Sequence, residues 1–260
     1  MSHFLKINRR CFAPPDSFSH SDRCRPSILI TFEKVVGIRQ NHWSACIRIG
    51  GRLVSEPLVG LCQITHLPRR LKKAQLHLSA TLEDFDFSPS RGIDRSLVLE
   101  LSQGAWITRH LNTIVSGPTG AGKTYLGCAL AHAACRADFS VRYFRTPRFL
   151  QELKLAHADG SYPKLLASLA RVQLIIFDDW MRDALNLFQA QDLLDILDDR
   201  YGRSSTMIIT QVPVPSWLDR FPDPTIGDAV LDRLVNNAYR LDLIGESQRR
   251  LRSSVPMSST

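Results

Sequence analysis

The sequence contains no run of the roughly 20 consecutive apolar residues that a membrane-spanning helix requires. Its longest purely aliphatic or aromatic runs are only a few residues long, such as residues 174–177. The first 15 residues carry Lys6, Arg9 and Arg10 without an apolar segment behind them, which does not fit a secretory signal. We therefore expect no membrane partner.

The six cysteines lack the spacing of a metal site or of a small disulfide-bonded domain. None forms a CxxC pair, and no Cys/His cluster has the close spacing of a zinc site. Cys128 and Cys135 lie seven residues apart in a strongly helical stretch, which is typical of core positions. We expect six free thiols in a reducing, cytoplasmic compartment.

Acidic residues are scarce in the first third of the chain. The 260 residues include 33 Lys and Arg against 25 Asp and Glu, a net charge of +8. Residues 1–82 hold 13 basic and four acidic residues, whereas residues 83–260 hold 20 and 21. A basic segment joined to a near-neutral domain indicates a polyanionic partner such as nucleic acid, and a solubilising tail is the alternative.

Regular structure becomes recognisable only after residue 66. Residues 1–66 contain clusters of turn residues and two strand-like runs, at 28–32 and 46–49, with no persistent helical period. A basic helix is then predicted over residues 69–76, and its apolar spacing continues as far as Leu82. After a linker, Asp94 is a candidate N-cap of a helix that runs to about residue 101.

Strands and helices alternate from Asn112 onward, which is typical of a parallel sheet with crossover helices and predicts an α/β fold. The predicted strands span residues 113–116, 140–144, 173–178, 206–210 and 240–244. Predicted helices include residues 123–137, 148–158 and 162–171. The expected divisions are an atypical basic segment over 1–66, a basic helix with linker and lead-in helix over 67–110, a nucleotide-binding domain over 111–250, and a tail over 251–260.

A glycine-rich segment after the first of these strands matches the pattern G-x-x-x-x-G-K-[ST], in the strand-to-helix context in which that pattern binds nucleotide phosphates. Its residues are Gly117, Pro118, Thr119, Gly120, Ala121, Gly122, Lys123 and Thr124. Glycines let backbone N–H groups turn toward phosphate oxygens, and the following helix directs its positive end at the same anion. We expect Lys123 to contact the β- and γ-phosphates of ATP and the Thr124 hydroxyl to ligate Mg²⁺.

Two carboxylates, Asp178 and Asp179, follow the most apolar predicted strand. Carboxyl ends of parallel strands meet at one edge of a sheet, so these side chains should lie beside the glycine-rich loop. We expect Asp178 to hold Mg²⁺ directly or through water, and Asp179 to orient or activate the attacking water. The alternative is a strand that simply ends in acidic turn residues.

Four further residues are candidates for sensing or stabilising the γ-phosphate. Thr210 and Gln211 end the next strand, where a polar side chain can contact the phosphate or the water; the alternative is an ordinary strand end. Arg233 is a candidate arginine finger that acts across a subunit boundary, or else a surface residue paired with Asp232 or Asp228. Arg249 is a candidate nucleotide-sensing arginine, or else part of a basic tail.

The order of these motifs resembles that of the IstB-type transposition helper ATPases, relatives of the DnaC helicase loaders within the AAA+ class of P-loop NTPases. The resemblance covers about residues 69–250. It rests on residues 117–124, 158–162, 177–180, 199–206, 211–214, 223–225, 231–238 and 245–247. It implies an AAA+ ATPase that uses ATP and Mg²⁺, assembles with itself on double-stranded DNA, and assists or regulates a cognate transposase.

The sequence departs from the family pattern in two places. Residues 1–66 do not resemble the helical N-terminal module of such helpers, and residues 181–184 replace a turn that commonly contains glycine. Two alternatives remain for the function: a helicase loader with the same core, and the product of a decayed element that is not a competent helper. A small-molecule P-loop kinase is disfavoured because residues 231–233 resemble the AAA+ segment.

Overall fold

The computed structural model describes residues 66–245 and, upstream of them, the backbone of three short strands. The chain divides into two compact units, Met1–Val59 and Gly60–Thr260. The rest of the predicted segment 1–66, the tail over residues 251–260 and the candidate residue Arg249 lie outside the described residues.

The first unit contains a small antiparallel sheet. Strands β1 (Ile30–Thr31), β2 (Cys46–Ile49) and β3 (Arg52–Val54) are hydrogen-bonded in that order. The pairing brings Ile47 opposite Val54. Both strand-like runs expected from the sequence coincide with strands, and β3 is an addition.

The second unit is built on a five-stranded, fully parallel sheet. Its strands are β4 (Asn112–Ser116), β5 (Val141–Arg145), β6 (Leu174–Asp178), β7 (Ser205–Ile209) and β8 (Ala238–Asp242). Their spatial order is β5-β6-β7-β4-β8. The first strand therefore lies between the fourth and the fifth, and the predicted α/β fold with a parallel sheet is confirmed.

Among the described residues, three α-helices precede the first strand of this sheet, and five connect its strands. Helix α1 includes residues 66–74. The others are α2 (Arg95–Ser102), α3 (Ala105–Thr108), α4 (Lys123–Arg136), α5 (Thr146–Ala158), α6 (Tyr162–Ala170), α7 (Leu187–Arg200) and α8 (Pro224–Val235). Within the described part of the chain, no helix is both long enough and apolar enough to cross a membrane.

Local capping explains where several helices begin. The Asp94 carboxylate accepts a hydrogen bond from the backbone N–H of Ser96, 2.8 Å away, so this predicted N-cap of α2 is confirmed. Asn186 and Gln189 form a reciprocal capping box at the start of α7.

Helix α1 is shorter than the apolar spacing suggests. It ends at Ala74, because Gln75 adopts a left-handed φ of 52°. The chain then leaves the helix, although Leu76 and Leu82 still pack against the core. The prediction that the helix continues past Ala74 is wrong, because burial of these leucines comes from tertiary packing rather than from one helical face.

Alternating strand residues pack into two layers, one on each face of the sheet. In β6, Ile176 lies in the layer with α2 and α4, whereas Ile175 and Phe177 lie in the layer with α5, α7 and α8. The same alternation separates Val115 from Ile114 in β4. Because both faces are covered, the central strands are buried throughout.

The two cysteines whose side chains are described are both in α4. Cys128 and Cys135 are buried and free, as expected from their helical spacing. Burial raises the pKa of each thiol to about 11, so both stay protonated at neutral pH.

A buried arginine holds together the amino ends of two central strands. The Arg200 side chain is fully buried, and it donates to the carbonyl oxygens of Leu169 (3.0 Å), Val172 (2.8 Å) and Ser205. Its Nε also donates to the Thr206 hydroxyl at 3.3 Å. Burial lowers the pKa of Arg200 to about 10, so the guanidinium remains charged at neutral pH.

We expect Arg200→Met to destabilise the fold by about 3 kcal/mol or more, because several buried carbonyl oxygens lose their donor. That loss corresponds to a melting temperature lower by about 6–12 °C for a domain of this size. Thermal unfolding followed by circular dichroism measures it. Arg203→Met, at an exposed position three residues later, is the matched control. Equal melting temperatures for the two variants would show that Arg200 contributes little.

Candidate functional site

The glycine-rich loop over residues 117–124 joins the end of β4 to the start of α4. Gly117 and Gly122 have positive φ values of 142° and 90°. A Cβ on Gly117 would overlap the carbonyl oxygen of Leu243, and one on Gly122 would overlap the guanidinium of Arg91. Both positions therefore require glycine for backbone conformation and for space.

Arg91 contacts and supports this loop. The residue is only 5% exposed, and its Nη2 donates to the carbonyl oxygen of Ala121. Its guanidinium also lies 4.6 Å from the ring centroid of Phe85, which packs near Tyr125 of α4. The segment expected to be a linker is thus part of the wall behind the phosphate loop.

The loop side chains contact both the loop itself and the neighbouring strand end. Lys123 Nζ donates to the carbonyl oxygen of Pro118 at 2.8 Å. The Thr119 hydroxyl donates to the side-chain oxygen of Gln211, at the end of β7. Lys123 and Gln211 both line the same cleft.

The Asp178 carboxylate accepts three hydrogen bonds within the site. Its Oδ2 accepts hydrogen bonds from the hydroxyls of Thr124 (2.9 Å) and Tyr143 (2.6 Å), and its Oδ1 accepts from the backbone N–H of Asp179 (2.8 Å). Asp178 as a residue is only 5% exposed. Burial and the neighbouring Asp178 charge raise the pKa of Tyr143, so its phenol stays protonated and acts as a donor.

Asp179 points into a more open part of the site and pairs with arginine. Arg145, the last residue of β5, donates to Asp179 Oδ2 from Nη2 at 2.6 Å and from Nε at 3.2 Å. Arg182 Nη1 lies 3.9 Å from the same oxygen. The hydrogen bond with Asp179 raises the pKa of Arg145, which therefore stays charged.

These groups line one cleft of about 390 Å³. Its lining includes Thr119, Gly120, Gly122, Lys123, Thr124, Arg145, Asp178, Asp179, Arg182, Thr210 and Gln211. The structure thus brings together the loop, both carboxylates and the end of β7, as the sequence predicted.

The cleft fits a magnesium ion held partly by nucleotide. Within residues 66–245, no group of three His, Cys, Asp or Glu side chains is close enough to hold a metal alone. Mg²⁺ commonly uses one or two protein oxygens together with phosphate oxygens and water. The Thr124 hydroxyl has one proton and two lone pairs, so it can donate to Asp178 and still offer oxygen to a cation.

The two polar residues at the end of β7 differ in their contacts. The Thr210 hydroxyl is buried, donates to the carbonyl oxygen of Trp180 at 2.9 Å and accepts from the backbone N–H of Val212 at 3.0 Å. Gln211 instead contacts Thr119 of the phosphate loop. This geometry favours Gln211 over Thr210 as the residue directed toward phosphate.

Arg233 lies at the edge of the sheet opposite the cleft. Its carbonyl oxygen accepts a hydrogen bond from Asn112, the first residue of β4, whereas the phosphate loop follows the last residue of that strand. The Arg233 guanidinium pairs with Asp198 of α7, and it lies 4.0 Å from Asp232. A strand of five residues spans roughly 17 Å, so this arginine lies far from its own cleft.

Three contacts of the site were not anticipated from the sequence. Arg91, Tyr143 and Arg145 each contact the loop or the carboxylates from elsewhere in the chain. None belongs to a motif. The available signal was that residue 143 lies in the predicted strand 140–144 and residue 145 follows it directly, so the two would share one face if the strand extended by one residue.

The turn after Trp180 explains one departure from the family pattern. Met181 has a left-handed φ of 52°, a conformation that favours glycine, and its side chain is buried. Asp179 also lies in this region, with φ of 56°. The chain thus makes the turn without glycine, while the methionine side chain packs in the core beside the cleft.

Comparison with solved structures shows the same fold. DnaI aligns with a TM-score of 0.55 and 19% identity over 64% of this chain and 91% of its own. The DnaC helicase loader aligns with a TM-score of 0.53 and 19% identity, covering 65% and 99%. DnaA of Aquifex aeolicus, solved with AMPPCP bound, gives 0.55 and 18% over 68% and 54%. These structures share the fold of the second unit, so the predicted fold is confirmed.

Proteins found by sequence comparison have higher identity to this chain than these structures do. The insertion sequence ATP-binding protein y4pL of Sinorhizobium fredii is 50% identical over 184 residues, which cover 71% of this chain and 75% of that protein. The IS21 ATP-binding protein of Pseudomonas aeruginosa is 33% identical over 69% of this chain and 68% of its own. The family described as IstB-like ATP binding protein matches residues 40–255, beginning upstream of the motifs that carry the resemblance. The chain belongs to the IstB-like ATP-binding protein family of insertion sequences.

Proposed function

We propose that this protein is a Mg²⁺-dependent ATPase that assembles on double-stranded DNA in an ATP-dependent manner and assists a transposase. The main support is geometric: the phosphate loop, both carboxylates of the β6 end and a polar residue of β7 line one cleft. The family membership supports ATP binding, and the names of the relatives support a role in transposition rather than in helicase loading.

In this proposal the loop backbone and Lys123 bind the phosphates of ATP. The residues of the loop 117–122 other than Pro118 carry backbone N–H groups, and α4 begins at Lys123, so the helix dipole favours the same negative charge. Thr124 and Asp178 hold the magnesium ion, which neutralises charge on the phosphates. Gln211 contacts the γ-phosphate or the attacking water from the end of β7.

Asp179 orients or activates the water in this proposal, and Arg145 controls its availability. In the structure, Arg145 donates twice to the Asp179 carboxylate. A carboxylate engaged in this way is a poorer proton acceptor, so Asp179 must exchange this partner for water when hydrolysis occurs. Arg145 is half exposed and can swing toward the nucleotide phosphates.

The domain boundaries that the sequence predicts are kept as part of this proposal. The helix and lead-in region over residues 67–110 supports the phosphate loop through Arg91. The nucleotide-binding domain extends over 111–250. Residues 1–66 and 251–260 remain assigned as flanking segments by the sequence alone.

We expect Lys123→Ala to abolish binding of a fluorescent ATP analogue, because the ammonium that neutralises the phosphates is lost. Asp179→Asn should bind the analogue normally but hydrolyse ATP about 100-fold more slowly, because an amide cannot accept the proton. Equilibrium titration and phosphate release measure the two effects.

Lys164→Ala is the matched control for this test. Lys164 is exposed on α6, so its loss should change neither binding nor hydrolysis. Wild-type turnover by Lys123→Ala would contradict the assignment of the nucleotide site.

Arg233 is proposed to complete the cleft of a neighbouring subunit. Because it lies at the opposite edge of its own sheet, it can stabilise transition-state charge only in trans. We expect Arg233→Ala to bind ATP nearly normally, to hydrolyse it poorly and to lose ATP-dependent oligomers on DNA. Nucleotide titration, phosphate release and analytical ultracentrifugation measure these properties.

Two comparisons sharpen this test. Asp198→Ala removes the partner of Arg233 but keeps the arginine, so it should retain hydrolysis. A mixture of Arg233→Ala with Lys123→Ala should recover part of the activity, because the second variant supplies an intact Arg233 to the first. A mixture that forms oligomers but stays inactive would show that Arg233 does not act in trans.

Helix α1 is the described part of the basic segment proposed to contact DNA. Lys72 and Lys73 are exposed, whereas Arg70 pairs with Asp138 at 2.5 Å. We expect the double substitution Lys72→Gln and Lys73→Gln to lower the slope of log affinity against log salt by about 1.8 on duplex DNA. Fluorescence anisotropy titrations at salt concentrations from about 50 to about 200 mM measure this slope.

The control for this measurement is Arg203→Gln, an exposed arginine distant in sequence from α1. A chain shortened to residues 67–260 retains all of α1 except residue 66 and should keep much of its DNA affinity. An unchanged salt slope in the double variant would contradict a phosphate contact at α1. Complete loss of binding in the shortened chain would assign DNA binding to residues 1–66.

A further inference from the structure

Strand β5 presents two side chains to the two carboxylates of the site. Tyr143 and Arg145 are two residues apart, so they share one face of the strand. Tyr143 donates to Asp178, and Arg145 donates to Asp179. Strand β5 therefore provides one hydrogen-bond donor to each carboxylate.

The tyrosine is built into the site rather than placed on its surface. Tyr143 is 6% exposed, and its hydroxyl lies 2.6 Å from Asp178 Oδ2. Thr124 donates to the same oxygen from the opposite strand-to-helix loop. Together with the backbone N–H of Asp179 on Oδ1, these donors fix the plane and the rotation of the Asp178 carboxylate.

A second ring lies beside the tyrosine. The His77 imidazole stacks on Tyr143 with an interplanar angle of 8° and ring centroids 6.2 Å apart. His77 follows the end of α1, and the backbone of His77 and Leu78 lies against the Cys128 thiol of α4. The next residue, Leu78, lines the nucleotide cleft. The segment after α1 thus packs against the Tyr143 side chain.

We propose that Tyr143 is a positioning residue that orients Asp178 for a divalent cation, and that His77 holds Tyr143 in place. This inference rests on the proposed function, because it requires that Asp178 serve Mg²⁺ bound with ATP. Partners that hydrogen-bond a metal-binding side chain commonly alter metal affinity by about 10- to 100-fold when they are removed. Removal of the hydroxyl from Tyr143 should therefore weaken binding of the cation more than binding of the nucleotide.

The test uses the full chain and a fluorescent ATP analogue titrated with MgCl₂. We expect Tyr143→Phe to need about tenfold more Mg²⁺ than wild type for half-maximal binding, with unchanged analogue affinity in EDTA. His77→Ala should shift the Mg²⁺ midpoint in the same direction. His77→Phe, which keeps a ring for stacking, should restore it toward the wild-type value.

Tyr239→Phe is the matched control, since it removes the same hydroxyl from a partly buried tyrosine of β8. It should leave the Mg²⁺ midpoint unchanged. An unchanged midpoint in Tyr143→Phe, or an equal loss of affinity in EDTA, would overturn the positioning role. If wild type itself bound the analogue without any dependence on Mg²⁺, the proposed function would fail first, and the two failures are thereby distinguished.

Discussion

The carboxylate of Asp178 is the point at which α4, β5 and the end of β6 meet in the nucleotide cleft. It ends a fully buried strand, and it accepts hydrogen bonds from α4, from β5 and from the following backbone N–H. A buried carboxylate without donors is strongly unfavourable, so its partners must be in place when the strand is buried. The phosphate loop, β5 and β6 therefore depend on one another, and the pocket exists only when all three are folded.

The carboxyl ends and the amino ends of the parallel strands have different functions. At the carboxyl edge, the ends of β4, β6 and β7 place the loop, the two carboxylates and Gln211 around one cleft. At the amino edge, Arg200 satisfies carbonyl oxygens that precede the central strands, and Arg233 lies beside Asn112. The strands thus separate the nucleotide from the surface that a neighbouring subunit is proposed to meet.

Sequence reasoning succeeded where chemistry and spacing are local. The phosphate loop and the carboxylates 178–179 form motifs in which neighbouring residues act together, and strand ends were predicted within a few residues. It failed where tertiary contacts decide. Nothing near Arg91 in the sequence indicates that it would reach Ala121, and α1 ends early because Gln75 turns the chain before the apolar spacing ends. The pairing of Arg233 with Asp198 likewise depends on the packing of α8 against α7.

The position of β5 at one edge of the five-stranded sheet has a consequence for the dynamics of the site. Edge strands open more readily than central ones, because fewer hydrogen bonds must break. Since Tyr143 and Arg145 both belong to β5, one local opening would release Asp178 and Asp179 together. The availability of both carboxylates is thereby coupled to a local unfolding equilibrium, and amide hydrogen exchange along β5 would report on the cleft that Arg145 lines.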